Sequence, residues 1–348
     1  MSIHLDKFYY KKQYDCDVVL IDGLWGSGKT MFQLVISSLN NLEDAKIEEM
    51  LEYIINLQYM NKISDESAGL LIGNHLDFIM HKSLLGRCSN MRFDDDTGFK
   101  NSTNKLERIL RLFRSEENNL APKNIRNKGL VFMTHMIGCS PFFLSNLIKE
   151  RLFIIEIMRH PLYLIKHVAS FFARFDKTRV KTVSFDYLDN KIPWFYKNYI
   201  NLIDIKDKNN YHKAVNYVYY LYREIWANIE ILKESNVNIY PISFEQFTIN
   251  PNLYTDEICN FLSRNRGTYT SKALRKSKLP RKYIHQGLGL NKYGWKKSKL
   301  NNEEYYLKLV DDILYEIDHK HKSFLKEIIY LYDEKYPSLL NEYSKFIK

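Results

Sequence analysis

The stretch Gly23-Leu24-Trp25-Gly26-Ser27-Gly28-Lys29-Thr30 fits the pattern G-x-x-x-x-G-K-[ST]. Its glycines let a backbone curl until successive N–H groups converge on a phosphate, and the N-terminus of a following helix adds its positive end. Lys29 can reach phosphate oxygens, and Thr30 can donate a hydroxyl or bind Mg²⁺. Such a match arises by chance in roughly one chain of this size in a hundred, so a phosphate-binding role is the expectation. A second candidate is Arg159, which closes an apolar run and is followed by His160-Pro161, with His167 and Ser170 further on at a spacing that shares one helix face. An arginine at a strand end, with a polar group two turns into the next helix, can grip a second phosphate. The third is His135, at the end of another apolar run, a position where a histidine taken alone is more often structural than catalytic.

The elements that must hold these groups are short and alternate in type. Asp17–Asp22, Gly129–Met133, Leu152–Met158 and Val237–Ser243 are apolar, β-branched runs and predict strands. Helical spacing follows at Thr30 to Leu39, Pro161 to about residue 175, Leu253 to Leu262 and, as two helices, Asn302 to Phe346. Ser140-Pro141 can open another helix. The region from about Leu42 to Leu120 reads as a helical insertion, with apolar repeats over Leu42–Met60 and Lys105–Phe113; between them Asp94-Asp95-Asp96-Thr97-Gly98 looks like a turn and lacks the ligand spacing of an EF-hand. Trp194 to Glu234 reads as long, tyrosine-rich and helical; its aromatic residues would form core or line a pocket. Alternation of strand and helix implies an α/β, three-layer sandwich with a mostly parallel sheet, here a single domain over 1–348 containing the phosphate loop, the helical insertion and a helical C-terminus. In such sheets ligands bind beyond the carboxyl ends of the strands, where the three candidate clusters fall.

Composition excludes several classes. The chain has 348 residues, 45% hydrophobic and 26% charged, within the range of globular domains. No apolar run reaches the roughly 20 residues of a membrane helix, and the first residues lack the apolar core of a secretory signal. The four cysteines are scattered with no C-x-x-C pair, so a disulfide scaffold and a structural zinc site are not expected; a reducing cytoplasm is. The net charge of +10 is local: Arg264 to Lys282 carries eight cations and no acid, and without it the remainder carries +2. With Gly267 and Pro280 inside it, this segment reads as part of a basic loop over 264–297, either plainly solvated or a strap over phosphate or sulfate groups. No aromatic platforms interleave with these cations, so nucleic acid is not an expected partner.

In the order of its motifs the chain resembles the sulfotransferase family, enzymes with a P-loop-like fold that use 3′-phosphoadenosine-5′-phosphosulfate (PAPS). The resemblance rests on Gly26-Ser27-Gly28-Lys29-Thr30, Phe132-Met133-Thr134-His135-Met136, Ile157-Met158-Arg159-His160-Pro161 through Ser170-Phe171-Phe172, Ile242-Ser243-Phe244-Glu245-Gln246-Phe247, and Tyr293-Gly294-Trp295-Lys296-Lys297. It implies that Gly26, Ser27, Gly28, Lys29 and Thr30 hold the 5′-phosphosulfate, and that Arg159 with His167 or Ser170 holds the 3′-phosphate. It also implies that Arg281, Lys282, Gly294 and Trp295 cover the nucleotide, and that His135 is the general base with Lys29 assisting the leaving oxygen. No metal is then required, and the acceptor is a small molecule or saccharide bearing a hydroxyl or amine, its identity and the oligomeric state left open. The sequence departs from the family at Gly26, where Lys or Arg is usual, at Lys29 in place of Thr, at Met133 in place of Lys, and at His167 in place of Ser. The alternative is a P-loop kinase or ATP/GTP-binding protein using Lys29 and Thr30 with Mg²⁺. A strand ending in Asp, which such proteins use to hold the metal, is found only at Asp22, immediately before the loop.

Overall fold

Runs such as Val18-Val19-Leu20-Ile21 have no polar side to offer water, so a sheet built from them must be covered on both faces. The computed structural model describes residues 12–88, 90–92, 95, 97–125, 127–174, 183–286, 296–338 and 340–344. Within it β1 (Asp17–Asp22), β2 (Gly129–Met133), β3 (Leu152–Met158) and β6 (Asn238–Ser243) form one sheet in the order β2-β1-β3-β6. Every pairing in it is parallel. Alternate residues of the strands enter two separate cores. Val18, Leu20, Leu130, Phe132 and Ile154 face one layer, and Val19, Ile21, Val131, Ile155 and Ile157 face the other.

The second layer is built by α1 (Lys29–Ile36), α8 (Phe244–Ile249) and α9 (Pro251–Phe261), through Phe32, Phe247 and Ile258. The first is built by α2 (Glu49–Tyr59), α3 (Asp65–Leu84), α5 (Phe142–Ile148), α6 (Pro161–Phe172), α7 (Asn210–Glu234) and the C-terminal α11 (Asn302–Glu316) and α12 (His319–Lys335). Burying each large apolar side chain contributes about 1.5–3 kcal/mol. Trp194, Phe195, Tyr217, Tyr222 and Trp226 are all in this core, so the aromatic run is packing. No described helix is long and apolar enough to cross a membrane.

The structure corrects three local expectations. Leu42 to Lys46 is not helical but runs beside β2, with Glu43 N–H donating to Gly129 O (2.9 Å) and Lys46 N–H to Val131 O (3.0 Å). An otherwise open strand edge takes these hydrogen bonds in preference to a helix. The expected long helix from Trp194 is instead a 3₁₀ turn (Trp194–Tyr199) followed by irregular chain, and α7 begins only where the Asn209 side chain accepts from the N–H groups of Tyr211 and His212. The basic stretch expected as loop contains α10 (Thr270–Lys276), tied down at its start by the ion pairs Arg264–Asp17 and Arg266–Asp256. An antiparallel hairpin, β4 (Ser184–Tyr187) with β5 (Asn190–Pro193), was not foreseen.

The insertion is anchored by buried charge. In α4 (Lys105–Phe113), Arg111 donates two hydrogen bonds to Glu43, at 2.8 and 2.9 Å, and Arg108 lies 2.6 Å from Asp44. Glu43 is buried, and the two guanidiniums with Lys128 hold its carboxyl well below the usual carboxylate range despite burial. Removing one partner of a buried ion pair strands the other, at about 3–5 kcal/mol. Glu43→Ala is therefore expected to cost about that much in urea unfolding, whereas the same change at the half-exposed Glu107 should cost under about 1 kcal/mol. The depressed Glu43 pKa adds stability above its unfolded value, lost as pH falls toward the folded one.

Candidate active site

All four parallel strands end at one edge, and that edge carries the loop after β1, Thr134-His135 after β2, Arg159 after β3 and Phe244 after β6. The loop takes its shape from glycine at left-handed backbone angles: φ is +141° at Gly23, +87° at Gly26 and +100° at Gly28. A side chain at Gly26 would overlap the ring of His167, and one at Gly28 the ring of Phe244, so both neighbours press directly on the loop. Trp25 fastens it from the other side. Its ring stacks on Tyr217 (5.5 Å between centroids, 10° between planes) and meets Phe171 and Phe195, while its backbone N–H donates to the Tyr217 hydroxyl at 3.2 Å.

Lys29, the first residue of α1, is buried and folds back on the loop, donating to Gly23 O (2.7 Å) and Leu24 O (2.9 Å). Burial pushes its ammonium down to about 8, opposed by the charges of Asp22, Glu52 and Glu156. Ser27 is fully buried with its hydroxyl unpartnered, and Thr30 is exposed. An anion in the loop would therefore meet a buried hydroxyl and a cation able to exchange two carbonyls for it. Because only protonated Lys29 attracts an anion, affinity of the loop for a phosphate or sulfate group is expected to fall as pH rises through about 8, approaching tenfold per pH unit. Calorimetric titration on both sides of pH 8 checks this.

Arg159 is 3% exposed. Its backbone N–H donates to the Tyr222 hydroxyl (2.9 Å), its guanidinium lies 4.6 Å from the Phe244 centroid, and Nη1 donates to Gly26 O. Nε and Nη2 are buried with no hydrogen-bond partner, and the carboxyl whose charge acts on the group is that of buried Glu245. Arg281, from the basic stretch, places its guanidinium over the same Phe244 ring at 5.5 Å. Burial and then the Arg159 charge push Arg281 down to about 10. Two guanidiniums sharing one ring, with donors left over, constitute a site that an anion would relieve.

His135 sits where the chain turns back toward the loop, with the Met136 N–H donating to Gly23 O at 3.4 Å. Its Nδ1 is 3.1 Å from Glu52 Oε1 of α2, partly open to solvent. A carboxylate acceptor keeps the proton on Nδ1 and leaves Nε2 with a free lone pair. The Glu52 charge also acts on Lys29 and Asp22, so His135, Glu52 and the loop share one neighbourhood.

Gly26, Gly28, Lys29, Arg159, His167 and Arg281 thus come together. Ser170 does not join them: its hydroxyl donates to Lys166 O at 3.0 Å within its own helix. Lys282 is exposed, with its ammonium over Tyr283 at 5.1 Å. Gly294 and Trp295 lie outside the described residues. Sequence reasoning missed Glu52, one acid among several on a helix with nothing to mark it, and gave Phe244 no role. It also passed over Glu156, whose signal was available: a lone acid inside the apolar run Leu152–Met158. Glu156 pairs in register with Asp22 beneath the loop, and burial, then the Asp22 charge, pushes it well above the carboxylate range. Asp22 itself accepts from Thr134 Oγ1 and Gly138 N–H, both at 2.8 Å, so both its oxygens are engaged.

No protein-family model matches the sequence, and no curated protein matches it. Among solved structures the chain is similar to the sulfotransferase domain from the Synechococcus PCC 7002 olefin synthase, with 14% identity and a TM-score of 0.41 over 89% of this chain and 100% of that one. It is likewise similar to the sulfotransferase domain from the curacin biosynthetic pathway, with 12% identity and a TM-score of 0.42 over 93% of this chain and 99% of that one.

Proposed function

We propose that the protein is a sulfotransferase, moving a sulfuryl group from PAPS to a hydroxyl or amine of an acceptor. The observation that carries this reading is the second anion site: buried Arg159, with two donors lacking a hydrogen-bond partner, shares the Phe244 ring with Arg281 and touches the loop at Gly26. An ATP-type loop needs no such site, whereas a 3′-phosphate does. The residues present therefore fit a ligand with two anionic groups, as PAPS has. When bound, PAPS supplies the transferable sulfuryl group and a good leaving group in its 5′-phosphate.

The chain's own part is positioning and charge. The N–H groups and Ser27 hold the 5′ end, and Lys29 turns from the Gly23 and Leu24 carbonyls to the bridging oxygen, where negative charge grows. Arg159, with His167 against Gly26 and Arg281 on the same Phe244 ring, holds the 3′ end. His135 Nε2 takes the proton from the acceptor as its oxygen or nitrogen forms the bond to sulfur and the bridging S–O bond breaks. The proton ends on the imidazole, and adenosine 3′,5′-bisphosphate departs. Glu52 steadies the resulting imidazolium. Both oxygens of Asp22 are committed within the protein, which speaks against its holding Mg²⁺ for an ATP reaction.

A thermal-shift comparison tests the reading, since a ligand that binds only the folded state raises its stability by mass action. Adenosine 3′,5′-bisphosphate should stabilise the protein without magnesium, by more than AMP does. Stabilisation by ATP with Mg²⁺ and none by the bisphosphate would contradict it.

A further inference from the structure

The helix α4 is built inside out. On a wheel of about 100° per residue, Lys105, Leu106, Ile109, Leu110, Leu112 and Phe113 occupy one arc of about 160°, and Arg108 and Arg111 lie opposite. The charged side is the buried one: both arginines are 6% exposed and bonded to Glu43 and Asp44. The apolar side faces outward, with Leu106 64%, Leu112 61%, Phe113 83%, Ile109 41% and Leu110 40% exposed. Since the ion pairs fix the rotation of the helix, the apolar residues cannot turn inward without stranding two guanidiniums. Singly exposed leucines mean little, but five large apolar side chains on one short helix form a patch of the kind that marks an interaction site.

Cations cluster beside the N-terminal end of this face. Lys105 lies within the apolar arc. Across from it the Lys276 ammonium of α10 reaches the Lys100 carbonyl at 2.9 Å, joining the basic helix to the turn that precedes α4. Lys100, Lys105 and Lys272 are near enough for their charges, after burial, to push the Lys276 ammonium down. The exposed arc itself holds no acid. Glu107 is on the other side, engaged by Arg114 at 2.9 Å.

We propose that α4 and the lysines beside it dock the protein on an anionic lipid surface, with Leu106, Ile109, Leu110 and Phe113 entering the headgroup boundary and Lys100, Lys105, Lys272 and Lys276 meeting lipid phosphates and carboxylates. An exposed apolar helix face with a lysine cluster beside it has the composition of an interfacial anchor, which draws on both buried apolar area and attraction to anionic lipid. It leaves the strand-end site untouched, so the inference stands apart from the proposed chemistry.

Co-sedimentation of the full chain with phosphatidylcholine vesicles tests it, comparing vesicles with and without about a third phosphatidylserine. Binding should be at least about tenfold tighter with phosphatidylserine and should weaken as salt rises. Two independent variants should each lower it about tenfold: the pair Leu106→Ser with Phe113→Ser, and the pair Lys272→Glu with Lys276→Glu. All four side chains are exposed, and an unchanged unfolding midpoint confirms folding. The salt titration on the unaltered protein tests the same attraction without any variant. No binding to phosphatidylserine vesicles, binding that both variants retain, or a dimer seen by light scattering that the α4 serine pair dissociates without vesicles present would each overturn the proposal. The last result would assign the face to a second copy of the chain.

Discussion

Replacing His135 with alanine is expected to lower turnover by about 10²–10⁴-fold, the usual contribution of a positioned general base, while leaving affinity for adenosine 3′,5′-bisphosphate nearly unchanged. The asymmetry follows from geometry. The nucleotide would be held by the loop and by Arg159, neither of which bonds to the imidazole, whereas His135 turns its Nδ1 to Glu52, at 3.1 Å. Glu52→Gln should give a smaller loss of the same kind, because the amide no longer fixes the proton on Nδ1 by its charge or steadies the imidazolium. Single-turnover rates at saturating donor, beside calorimetric affinity for the bisphosphate, separate the two effects. A His135→Ala protein that binds poorly but turns over normally once bound would remove His135 from the chemistry.

Arg159→Ala should weaken adenosine 3′,5′-bisphosphate by about 10–100-fold and AMP by only a few-fold, from a charged hydrogen bond worth about 1.5–3 kcal/mol. Arg159 is already in place for the task. Tyr222 fixes its backbone, Phe244 supports the guanidinium, and Nη1 is spent on Gly26, leaving Nε and Nη2 without a hydrogen-bond partner. Little ordering entropy remains to be lost on binding, which is why a single residue can matter this much. Lysine at 159 should not rescue, since it lacks the planar fork that serves the loop and a phosphate together. Equal weakening of the bisphosphate and AMP would contradict a 3′-phosphate role and turn Arg159 into a structural brace of the loop.

Much of this arrangement was legible in the residues because it depends on local signals. Uninterrupted apolar runs marked β1, β2, β3 and β6, since a strand buried on both faces has nowhere to put a polar side chain. The glycine pattern marked the turn, since only glycine takes these angles cheaply at such close approach to His167 and Phe244. The features that escaped were set by distant partners. Leu42–Lys46 has helical spacing yet pairs with the edge of β2, and no pattern in its own residues announces that edge. The α10 segment looked like loop because Gly267 and Pro280 flank it, but Arg264 and Arg266 find carboxylates on β1 and α9 that hold it in place. Glu52 lies some eighty residues from His135 in sequence and meets it only because α2 folds over the strand ends. The α4 wheel was visible as an apolar repeat, but its direction was not, because Glu43 and Asp44 decide which side is buried.

A single nucleotide bridging the glycine turn and the arginine pair is the feature on which the proposed chemistry depends. The most direct measurement is a crystal structure with adenosine 3′,5′-bisphosphate bound. The 5′-phosphate should lie on the N–H groups of Gly26 to Thr30, the Lys29 ammonium should have moved from the Gly23 and Leu24 carbonyls onto it, and the 3′-phosphate should lie on Nε and Nη2 of Arg159. A nucleotide seated elsewhere, with Lys29 still on its two carbonyls and Arg159 still unfilled, would contradict the proposed function.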